Sequence, residues 1–551
     1  MSDGPELVIG LIGAVGTNLR GDILPELQKH LGKAKYRVEL VRLSELIRGT
    51  ACFDVPEGGD DAPEDARIDA HMAAGDRLRQ DLNRGDAVAL LALGRIRAAR
   101  RAVHGDPSRP LGNVAYVLDS LKHPREIDTL RRIYGDNFLA IAGYAPRSER
   151  LERLTDLIRK SRKSLERDAF TALAEGLMEK DQKAPGTDLG QNVRDTFPKA
   201  DYFVPLGKGK DVEAQVERFV GLAFGNPFAT PTRDEYGMFH ARAVSLRSSD
   251  LSRQVGAVVL DGRGSIVANG CNEVPSGGGG SFWEGDEDAR DDRDFQLGYD
   301  STAKWKEQNL TEILDLLRDN GWLARNVAER GVEALLDSAL RGGDGAFLKN
   351  ARAANALEYG RIVHAEMNAL MDAARRGAEV QGKILYCTTF PCHMCARHII
   401  AAGLERVVYI EPYPKSLAKE LYRKWVRVEN DTDSQEDAVA FEPFMGVAPH
   451  RYMTFFEYRE RKDERGAAVE WSLDTARPAL SRSFVTYPEV EAAHLACLTG
   501  PAANSALYGP APAQNPHRLT WLTEEVAAAR AEVDAWSDWK RAALEGQVER
   551  G

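Results

Sequence analysis

The sequence is poor in cysteine and contains no long hydrophobic run. Six cysteines in 551 residues are too few to form a disulfide framework in a chain of this length. No stretch approaches the roughly 20 apolar residues that span a bilayer, and the opening Met-Ser-Asp-Gly begins no secretory signal. We therefore expect a cytoplasmic protein without a membrane partner.

An excess of positive charge is also missing. The chain has 73 lysines and arginines against 84 aspartates and glutamates, for a net charge of −11. Proteins that bind polynucleotides tightly normally present a basic surface, so we expect no stable polynucleotide binding. A small nucleotide held in a local basic pocket is compatible with this charge.

The length exceeds that of one ordinary hydrophobic core, and the composition of 43% hydrophobic and 28% charged residues is typical of folded proteins. Shifts in composition and pattern predict a first domain over residues 1–205 and a second over residues 206–500. The second domain carries a predicted helical insertion at 276–360, and residues 501–551 are expected to form a linker and a final helix.

The most informative stretch lies between Arg361 and Cys395 and contains RIVHAEMNAL, GKILYCTT and PCHMC. It has the H-x-E…P-C-x-x-C signature of zinc-dependent nucleobase deaminases. Two thiolates and one imidazole fill three positions of a tetrahedral Zn²⁺ and leave the fourth for water, which is the arrangement of a catalytic site. The pattern therefore predicts His364, Cys392 and Cys395 as ligands of Zn²⁺ and Glu366 as the acid that shuttles protons.

A Cys-x-x-Cys pair has two other interpretations. It could be a redox pair, or a closed structural zinc site with His393 or His398 as the fourth ligand. The upstream His-Ala-Glu favours the catalytic site, because a structural site has no use for Glu366. Cys387 falls in a predicted buried strand and is expected in the core.

Two predicted helices present these residues. The first begins near His364, and its apolar positions are expected to pack on a sheet, namely Met367, Leu370, Met371 and Ala374. The second begins after PC, with Pro391 suited to its first position. Both helix starts would then converge on one ion.

Residues 6–19, ELVIGLIGAVGTNL, predict a strand and a glycine-rich turn that lacks a lysine. A phosphate-binding loop has G-x-x-x-x-G-K-[ST], and here Gly13, Gly16 and Thr17 are present without the lysine that reaches the phosphates. Nucleotide binding through backbone N–H groups and a purely structural turn both remain open, whereas phosphoryl transfer is not expected. Asp119, at the end of a later apolar stretch, is either a magnesium ligand or a turn cap.

Strands alternate with helices up to about residue 205, which predicts a parallel doubly wound sheet. The arrangement resembles the opening of a P-loop NTPase or kinase-like domain. Residues 230–275 and 361–412 resemble the deoxycytidylate deaminase branch of the cytidine deaminase superfamily, through LSRQVGAVV, GCNEVP, HAEMNAL, PCHMCA and VVYIEPYPKS.

Together with the amino-terminal region and LDSLKHPRE, the chain is similar over most of its length to the bacterial anti-phage dCTP deaminases. The resemblance implies an α/β protein, in which a P-loop NTPase/kinase-like parallel sheet domain precedes a cytidine deaminase-like α/β/α domain. It also implies depletion of deoxycytidine nucleotides during infection, with the first domain regulatory and open to a nucleotide or a phage-derived effector. A homo-oligomer is expected.

The resemblance also suggests substrate contacts. It places Asn272 at the sugar and the Ala365 backbone N–H at the carbonyl of the base, although Asn272 is equally suited to forming a turn. Arg253, Gln254 and Lys415 are candidates for phosphate or sugar contacts, against ordinary surface roles.

These features together predict zinc-dependent hydrolytic deamination of free dCTP, dCMP or both, to dUTP or dUMP and ammonia. Two alternatives stay open. One is a cytosine deaminase that acts on RNA or single-stranded DNA, and the other is a nucleotide-salvage dCMP deaminase without a defence role.

Overall fold

The computed structural model describes residues 4–166, 168–184, 187–285, 291–341, 346–348, 351, 360–412, 416–428, 434–479, 487–509 and 519–548. The chain divides into two compact units, of which unit 1 comprises Met1–Thr232 and Met445–Gly551 and unit 2 comprises Arg233–Phe444. These bounds differ from the three predicted segments. Unit 1 contains residues from both ends of the chain, and unit 2 is inserted between them.

The described residues form twelve strands: β1 (Leu7–Ile12), β2 (Arg37–Arg42), β3 (Val114–Leu121), β4 (Phe138–Tyr144), β5 (Tyr202–Pro205), β6 (Gly256–Leu260), β7 (Ile266–Cys271), β8 (Ile384–Thr389), β9 (Arg406–Glu411), β10 (Val426–Val428), β11 (Val439–Pro443) and β12 (Gly446–Val447).

The first ten α-helices precede unit 2: α1 (Leu19–Asp22), α2 (Leu24–Lys33), α3 (Leu43–Arg48), α4 (Glu64–Asp81), α5 (Ala87–His104), α6 (Pro124–Tyr134), α7 (Arg147–Ser161), α8 (Thr171–Gln182), α9 (Val193–Thr196) and α10 (Val212–Ala223). Unit 2 contains α11 (Arg233–Ser245), α12 (Asp294–Leu297), α13 (Ser301–Asp319), α14 (Arg325–Ala328), α15 (Val332–Leu336), α16 (Ala365–Arg376), α17 (His393–Ala401) and α18 (Ala418–Leu421). Unit 1 resumes with α19 (Tyr452–Phe456), α20 (Tyr487–Ala496), α21 (Pro501–Tyr508), α22 (Thr520–Asp534) and α23 (Asp538–Val548).

Unit 1 is built on a six-stranded sheet of order β12-β5-β4-β1-β3-β2. All neighbouring strands are parallel except β12, which pairs antiparallel with β5. Every residue of β1 is buried, as expected for a central strand covered on both faces. The predicted parallel sheet is confirmed, whereas its assignment to the P-loop NTPase/kinase-like class stays a prediction.

The last helices of the chain complete unit 1. Helices α20 and α22 pack against α5, and Val526 and Val533 of α22 are buried. The fully buried Arg100 of α5 pairs with Glu6 at the start of the chain and with Glu491 of α20, at 2.7 and 2.6 Å. Buried charges are tolerated only when they are paired in this way, so the ends of the chain are joined through one arginine.

Unit 2 is built on a second six-stranded sheet, of order β10-β11-β9-β8-β6-β7. Strands β6 and β7 form an antiparallel hairpin, whose turn begins at Asp261, and β8 to β11 run parallel. Helices α16 and α17 pack on one face over a core that includes the buried Cys387. Helix α11 packs on the other face, where a Cβ at Gly237 would lie 2.6 Å from the Tyr386 ring. The unit therefore has α/β/α layers.

Helices α12 to α15 lie within the predicted insertion at 276–360, and its described residues before Asp294 are not helical. No helix in the described ranges of either unit has the length and apolarity that crossing a membrane requires.

Candidate active site

The residues of the H-x-E and C-x-x-C motifs meet in unit 2 at the starts of two helices. His364 immediately precedes α16 and Cys392 immediately precedes α17, so both are N-cap residues. Cys395 lies in the first turn of α17, and its backbone N–H donates to Cys392 Sγ at 3.4 Å. Pro391 therefore lies one residue before the N-cap and not at the first helical position, because the Cys392 side chain takes the capping role.

The geometry of this group fits Zn²⁺. His364 Nδ1 lies 3.4 Å from Cys392 Sγ and 3.4 Å from Cys395 Sγ. In a tetrahedral site with bonds of about 2.3 Å to sulfur and about 2.05 Å to nitrogen, these atoms would be about 3.6 Å apart. The two nitrogen–sulfur distances thus differ by only about 0.2 Å from those around a bound ion, and all three ligand atoms lie within 4.8 Å of one another. The predicted ligand set is therefore consistent with Zn²⁺.

The three ligands also share charge in a way that suits a cation. A hydrogen bond from the Cys395 side chain, and then one from His364, lowers the pKa of Cys392 to about 4. The Cys392 side chain in turn raises the pKa of His364 to about 9. The three groups therefore shift one another's protonation, and a divalent ion would displace the protons they hold.

Glu366 lies in the first turn of α16, one residue after Ala365, and is only 4% exposed. Burial raises the pKa of its carboxyl group to about 7, and the charge of Cys392 acts in the same direction. A carboxylic acid with a pKa near the working pH can both accept and return a proton, as general acid–base catalysis requires. The position and the environment of Glu366 thus fit the predicted proton shuttle.

These residues open into a cavity of about 320 Å³ that lies within unit 2. His364, Glu366 and Cys392 form one wall, and Thr389 and Phe390 at the end of β8 form another. The cavity has the size of a small-ligand site. The rest of its wall comes from residues 250–255, from the insertion and from Asn272 and Ile362; the first two contribute Asp250, Ser252, Arg253, Val255, Asp300, Thr302, Lys306 and Gly360.

Asn272 lies at the cavity and connects three parts of the site. Its Oδ1 accepts the Ala365 N–H at 3.0 Å, and its Nδ2 donates to Asp250 Oδ2 at 3.0 Å and to the Arg253 carbonyl at 3.2 Å. The amide therefore fixes the first residue of α16 relative to the 250–255 segment. A contact between the Ala365 N–H and a base, as predicted, would require Asn272 to release that N–H.

The insertion contributes side chains to the cavity that no sequence motif indicates. Asp300, Thr302 and Lys306 lie at the start of α13, and Thr302 and Lys306 are four positions apart, so they lie on the same face of the helix. Ser252 donates to Asp300 at 3.0 Å, and Arg361 binds Asp294 at 3.0 Å. These bonds attach the insertion to the rim of the cavity. A helical insertion was predicted here, but no local signal in the sequence indicates which residues of α13 face the cavity.

The other predicted substrate residues differ in their position relative to the cavity. Arg253 lines the cavity, whereas the Gln254 amide donates to the Ser248 carbonyl at 3.0 Å and Gln254 is not part of the cavity wall. Lys415 lies outside the described residues. Substrate contacts for all of these residues stay predictions.

The predicted amino-terminal site residues also lie together, in unit 1. Gly13, Gly16, Thr17 and Asp119 all line a cavity of about 520 Å³ beside the turn after β1. A crevice at the carboxyl ends of parallel strands is the usual ligand position in such sheets.

Internal side chains already use several polar groups of this turn. Asp181 accepts the Val15 N–H and the Lys122 ammonium, each at 2.7 Å, and Lys122 also donates to the Gly13 carbonyl at 2.8 Å. Arg20 pairs with Asp119 at 3.0 Å. A phosphate would therefore have to compete with the Asp181 carboxylate, and nucleotide binding here stays a prediction.

Comparison with known proteins agrees with the unit 2 site. Residues 231–411 match the family described as the cytidine and deoxycytidylate deaminase zinc-binding region. The deoxycytidylate deaminase of Enterobacteria phage T2 is 43% identical over 54 residues, which are 10% of this chain and 29% of that protein. The ComE operon protein 2 of Bacillus subtilis (strain 168) is 38% identical over 65 residues, covering 12% of this chain and 34% of that protein.

The deoxycytidylate deaminase of Pongo abelii is 27% identical over 176 residues, covering 32% of this chain and 63% of that protein. The chain thus spans less than two thirds of the length of each of these relatives. Among solved structures, the dCMP deaminase of cyanophage S-TIM5 in complex with dCMP and dUMP has 21% identity and a TM-score of 0.21, covering 39% of this chain and 98% of that one.

The family match spans the hairpin, both ligand-bearing helices and the strand between them, and its boundaries enclose the whole described part of the insertion. The local geometry and the match agree: residues 231–411 match the cytidine and deoxycytidylate deaminase zinc-binding region, and the His364, Cys392 and Cys395 group within them is consistent with Zn²⁺.

Proposed function

We propose that unit 2 is a zinc-dependent hydrolase that deaminates deoxycytidine nucleotides, dCTP, dCMP or both, to dUTP or dUMP and ammonia. The observation that carries this proposal is the buried carboxyl group of Glu366, which shares a cavity wall with His364 and Cys392. A structural zinc site needs no acid at that position, whereas a nucleobase deaminase does.

The chemistry consumes one water and releases one ammonia for each base. Zn²⁺ held by His364, Cys392 and Cys395 would supply the Lewis acidity that lowers the pKa of water. Glu366 accepts the proton of the attacking water, delivers it to the ring nitrogen next to the amine-bearing carbon, and then carries a proton to the departing amine. The pKa of about 7 suits both directions of transfer at neutral pH.

We assign the nucleotide's phosphates to the basic side of the cavity, where Arg253 and Lys306 lie. Lys306 makes no ion pair with any of the described residues, so its ammonium is available to an anion. Arg253 is placed at the cavity by the same segment that Asn272 holds. Asp300 occupies the same wall, but it already caps α13 through the Thr302 and Ala303 N–H groups, at 2.8 and 3.1 Å.

We further propose that this activity depletes deoxycytidine nucleotides during phage infection, with unit 1 as the regulatory part. The cavity of about 520 Å³ beside the turn after β1 supports a small effector there, either a nucleotide or a phage-derived molecule. Cells expressing the wild type or Glu366→Gln, infected in parallel, test this role through dCTP pools and phage yield. Equal pools and yields in the two strains contradict a defence function, while a pool that falls before infection indicates salvage.

The enzymatic proposal is tested with the purified, zinc-loaded chain and four substrates: dCTP, dCMP, cytidine and a cytosine-containing single strand. Released ammonia and uracil product are measured for each. Turnover of the free deoxynucleotides alone is the expected result, and their ratio ranks the phosphates. Turnover of the strand alone overturns the proposal in favour of a polynucleotide deaminase.

A further inference from the structure

A second group of metal-binding side chains lies in unit 1, between α2 and α10. Glu26 and His30 are four positions apart on α2, and therefore on the same face, and Glu213 is in the first turn of α10. One ligand atom from each of these residues lies within 4.8 Å of the other two. None of these residues belongs to the motifs or cavities assigned to deamination.

His30 is the unusual member of the group. Its side chain is fully buried, yet neither ring nitrogen has a hydrogen-bond partner among the described residues. Buried polar atoms are nearly always paired, so an unpaired histidine requires an explanation such as an ion. Nε2 lies 3.8 Å from Glu26 Oε2 and Nδ1 lies 3.9 Å from Glu217 Oε1, both beyond hydrogen-bond range.

Burial also lowers the pKa of His30, which keeps the imidazole neutral at physiological pH. The neutral ring is the form that binds metals, because a protonated nitrogen has no lone pair to offer. The surrounding carboxylates supply the negative charge that a divalent ion requires.

The carboxylates of Glu26 and Glu213 both face the ammonium group of Lys29. The Lys29 ammonium is in direct contact with Glu213 and lies 3.5 Å from Glu26. The position between α2 and α10 therefore attracts positive charge, and in this state the side chain of the neighbouring residue on α2 provides it.

We propose that Glu26, His30 and Glu213 bind a first-row divalent cation such as Zn²⁺, at a site separate from the one formed by His364, Cys392 and Cys395. Nitrogen and oxygen ligands of a tetrahedral Zn²⁺ are about 3.4 Å apart, so the 3.8 Å between His30 and Glu26 closes with a small side-chain rotation. Glu217 lies near the other ring nitrogen, where metal-binding histidines commonly have a carboxylate.

The ion would join α2 to α10 and leave a coordination position open. Glu26 and Glu213 also line a cavity of about 640 Å³, whose wall includes Arg150, Arg153 and Lys208. An open position on this side would therefore be accessible to an anionic ligand that the basic residues attract.

The test counts metal ions in the purified full-length chain. Wild type is titrated with Zn²⁺ and analysed for zinc per chain after gel filtration, and the expected result is two ions. His30→Gln and Glu213→Gln are expected to bind one. His104→Gln, which changes a histidine of α5 outside the group, is the matched control and is expected to bind two.

Lys29→Met should strengthen binding of the second ion, in contrast to His30→Gln and Glu213→Gln. Because it removes the competing ammonium, the second ion should bind about two- to fivefold more tightly, the effect expected from losing one surface ion pair. Co²⁺ distinguishes the two sites, since only the site with Cys392 and Cys395 gives thiolate charge-transfer absorption.

Saturation of the wild type at one ion, or a second ion retained in both His30→Gln and Glu213→Gln, overturns the proposal. Glu213 has a side chain that is 56% exposed, so its substitution provides a folded variant if His30→Gln is unstable. The outcome does not depend on deaminase activity, because a chain that fails to deaminate can still bind two ions.

Discussion

The carboxylate of Asp201 and the guanidinium of Arg451 form an ion pair at 2.9 Å, although 250 positions separate them in the sequence. Asp201 is fully buried, and the same carboxylate accepts hydrogen bonds from Arg131 and the Ala140 N–H, each at 2.7 Å. The residues that follow unit 2 are therefore bound to the edge of the first sheet through a buried charge.

Acid should weaken this connection. Burial alone would raise the pKa of Asp201, but the hydrogen bond with His450 and the charges of Arg451 and Arg131 lower it to about 2. Since an unfolded aspartate titrates near 3.8, the ionised form favours the folded state by about 2 kcal/mol. This contribution is complete above pH 3.8 and is lost as the pH falls towards 2.

Asp201→Asn should therefore lower the free energy of unfolding of unit 1 at pH 7 by about 2 kcal/mol, because it removes the charge that Arg131 and Arg451 face and leaves Arg451 paired with Asp136 alone among the described residues. The variant should also show a shallower loss of stability between pH 4 and pH 2. Urea unfolding followed at several pH values measures both effects. Asp128→Asn, which breaks the more exposed pair with Lys199, is the control and should change stability by less than about 1 kcal/mol. An unchanged acid profile in Asp201→Asn would contradict this role.

Glu366→Gln should retain zinc and lose about 10²- to 10⁴-fold in turnover, the usual contribution of one general acid–base. The amide has nearly the same size and can still hydrogen-bond, but it cannot carry a proton. Ammonia release and zinc content are measured on the same sample. Glu379→Gln, at an exposed position of unit 2, should match wild type in both assays. Wild-type turnover in Glu366→Gln would exclude the proposed mechanism.

Cys392→Ser and Cys395→Ser should each bind less zinc and lose activity, because two remaining protein ligands cannot hold the ion tightly. Cys497→Ser removes an exposed thiol of unit 1 and should keep both properties. Zinc content by elemental analysis, before and after treatment with a chelator, distinguishes loss of metal from loss of fold. Full zinc occupancy in both substituted chains would require a different ligand set.

Lys306→Ala should raise the KM for dCTP by about ten- to a hundredfold, the size of one lost charge-assisted contact with phosphate. The kcat should change little, because Lys306 lies away from the reacting atoms. Cytidine has no phosphate, so its KM serves as an internal reference. Lys304→Ala, on another face of α13 beside Tyr299, is the matched control. Equal effects on dCTP and cytidine would contradict a phosphate contact.

The grouping of His364, Glu366, Cys392 and Cys395 could be predicted because His364 and Glu366 lie at the start of one helix and the two cysteines at the start of another, where short-range sequence determines the geometry. The buried face of α16 was predicted less well. Met371 is 58% exposed, whereas Ala369 and Ala373 are buried. A Cβ at Gly270 would lie 2.3 Å from the Ala369 backbone, so α16 lies too close to β7 for large side chains. Only the three-dimensional structure reveals this close approach.

The other structural features that the sequence did not predict depend on contacts between residues far apart in the chain. Lys306 reaches the cavity because Asp300 binds Ser252, and Asp181 bonds to the turn after β1 from 166 positions away. The partners of Arg100 likewise come from Glu6 and Glu491. Such pairings depend on how elements pack, and periodicity or motif spacing carries no information about them.

Because the sequence of unit 2 lies between the two segments of unit 1, synthesis of unit 2 is completed before synthesis of unit 1. All residues of unit 2 leave the ribosome before Glu491, the partner of Arg100, has been made. Synthesis proceeds at roughly 5–20 residues per second, so the ribosome needs roughly 13–50 seconds to extend the chain from residue 232 to Glu491. During that interval Arg100 lacks one of its two carboxylate partners, and the face of α5 that later receives α20 and α22 is exposed to chaperones. A ribosome that stops after residue 444 would release all of unit 2 attached to an unfinished unit 1.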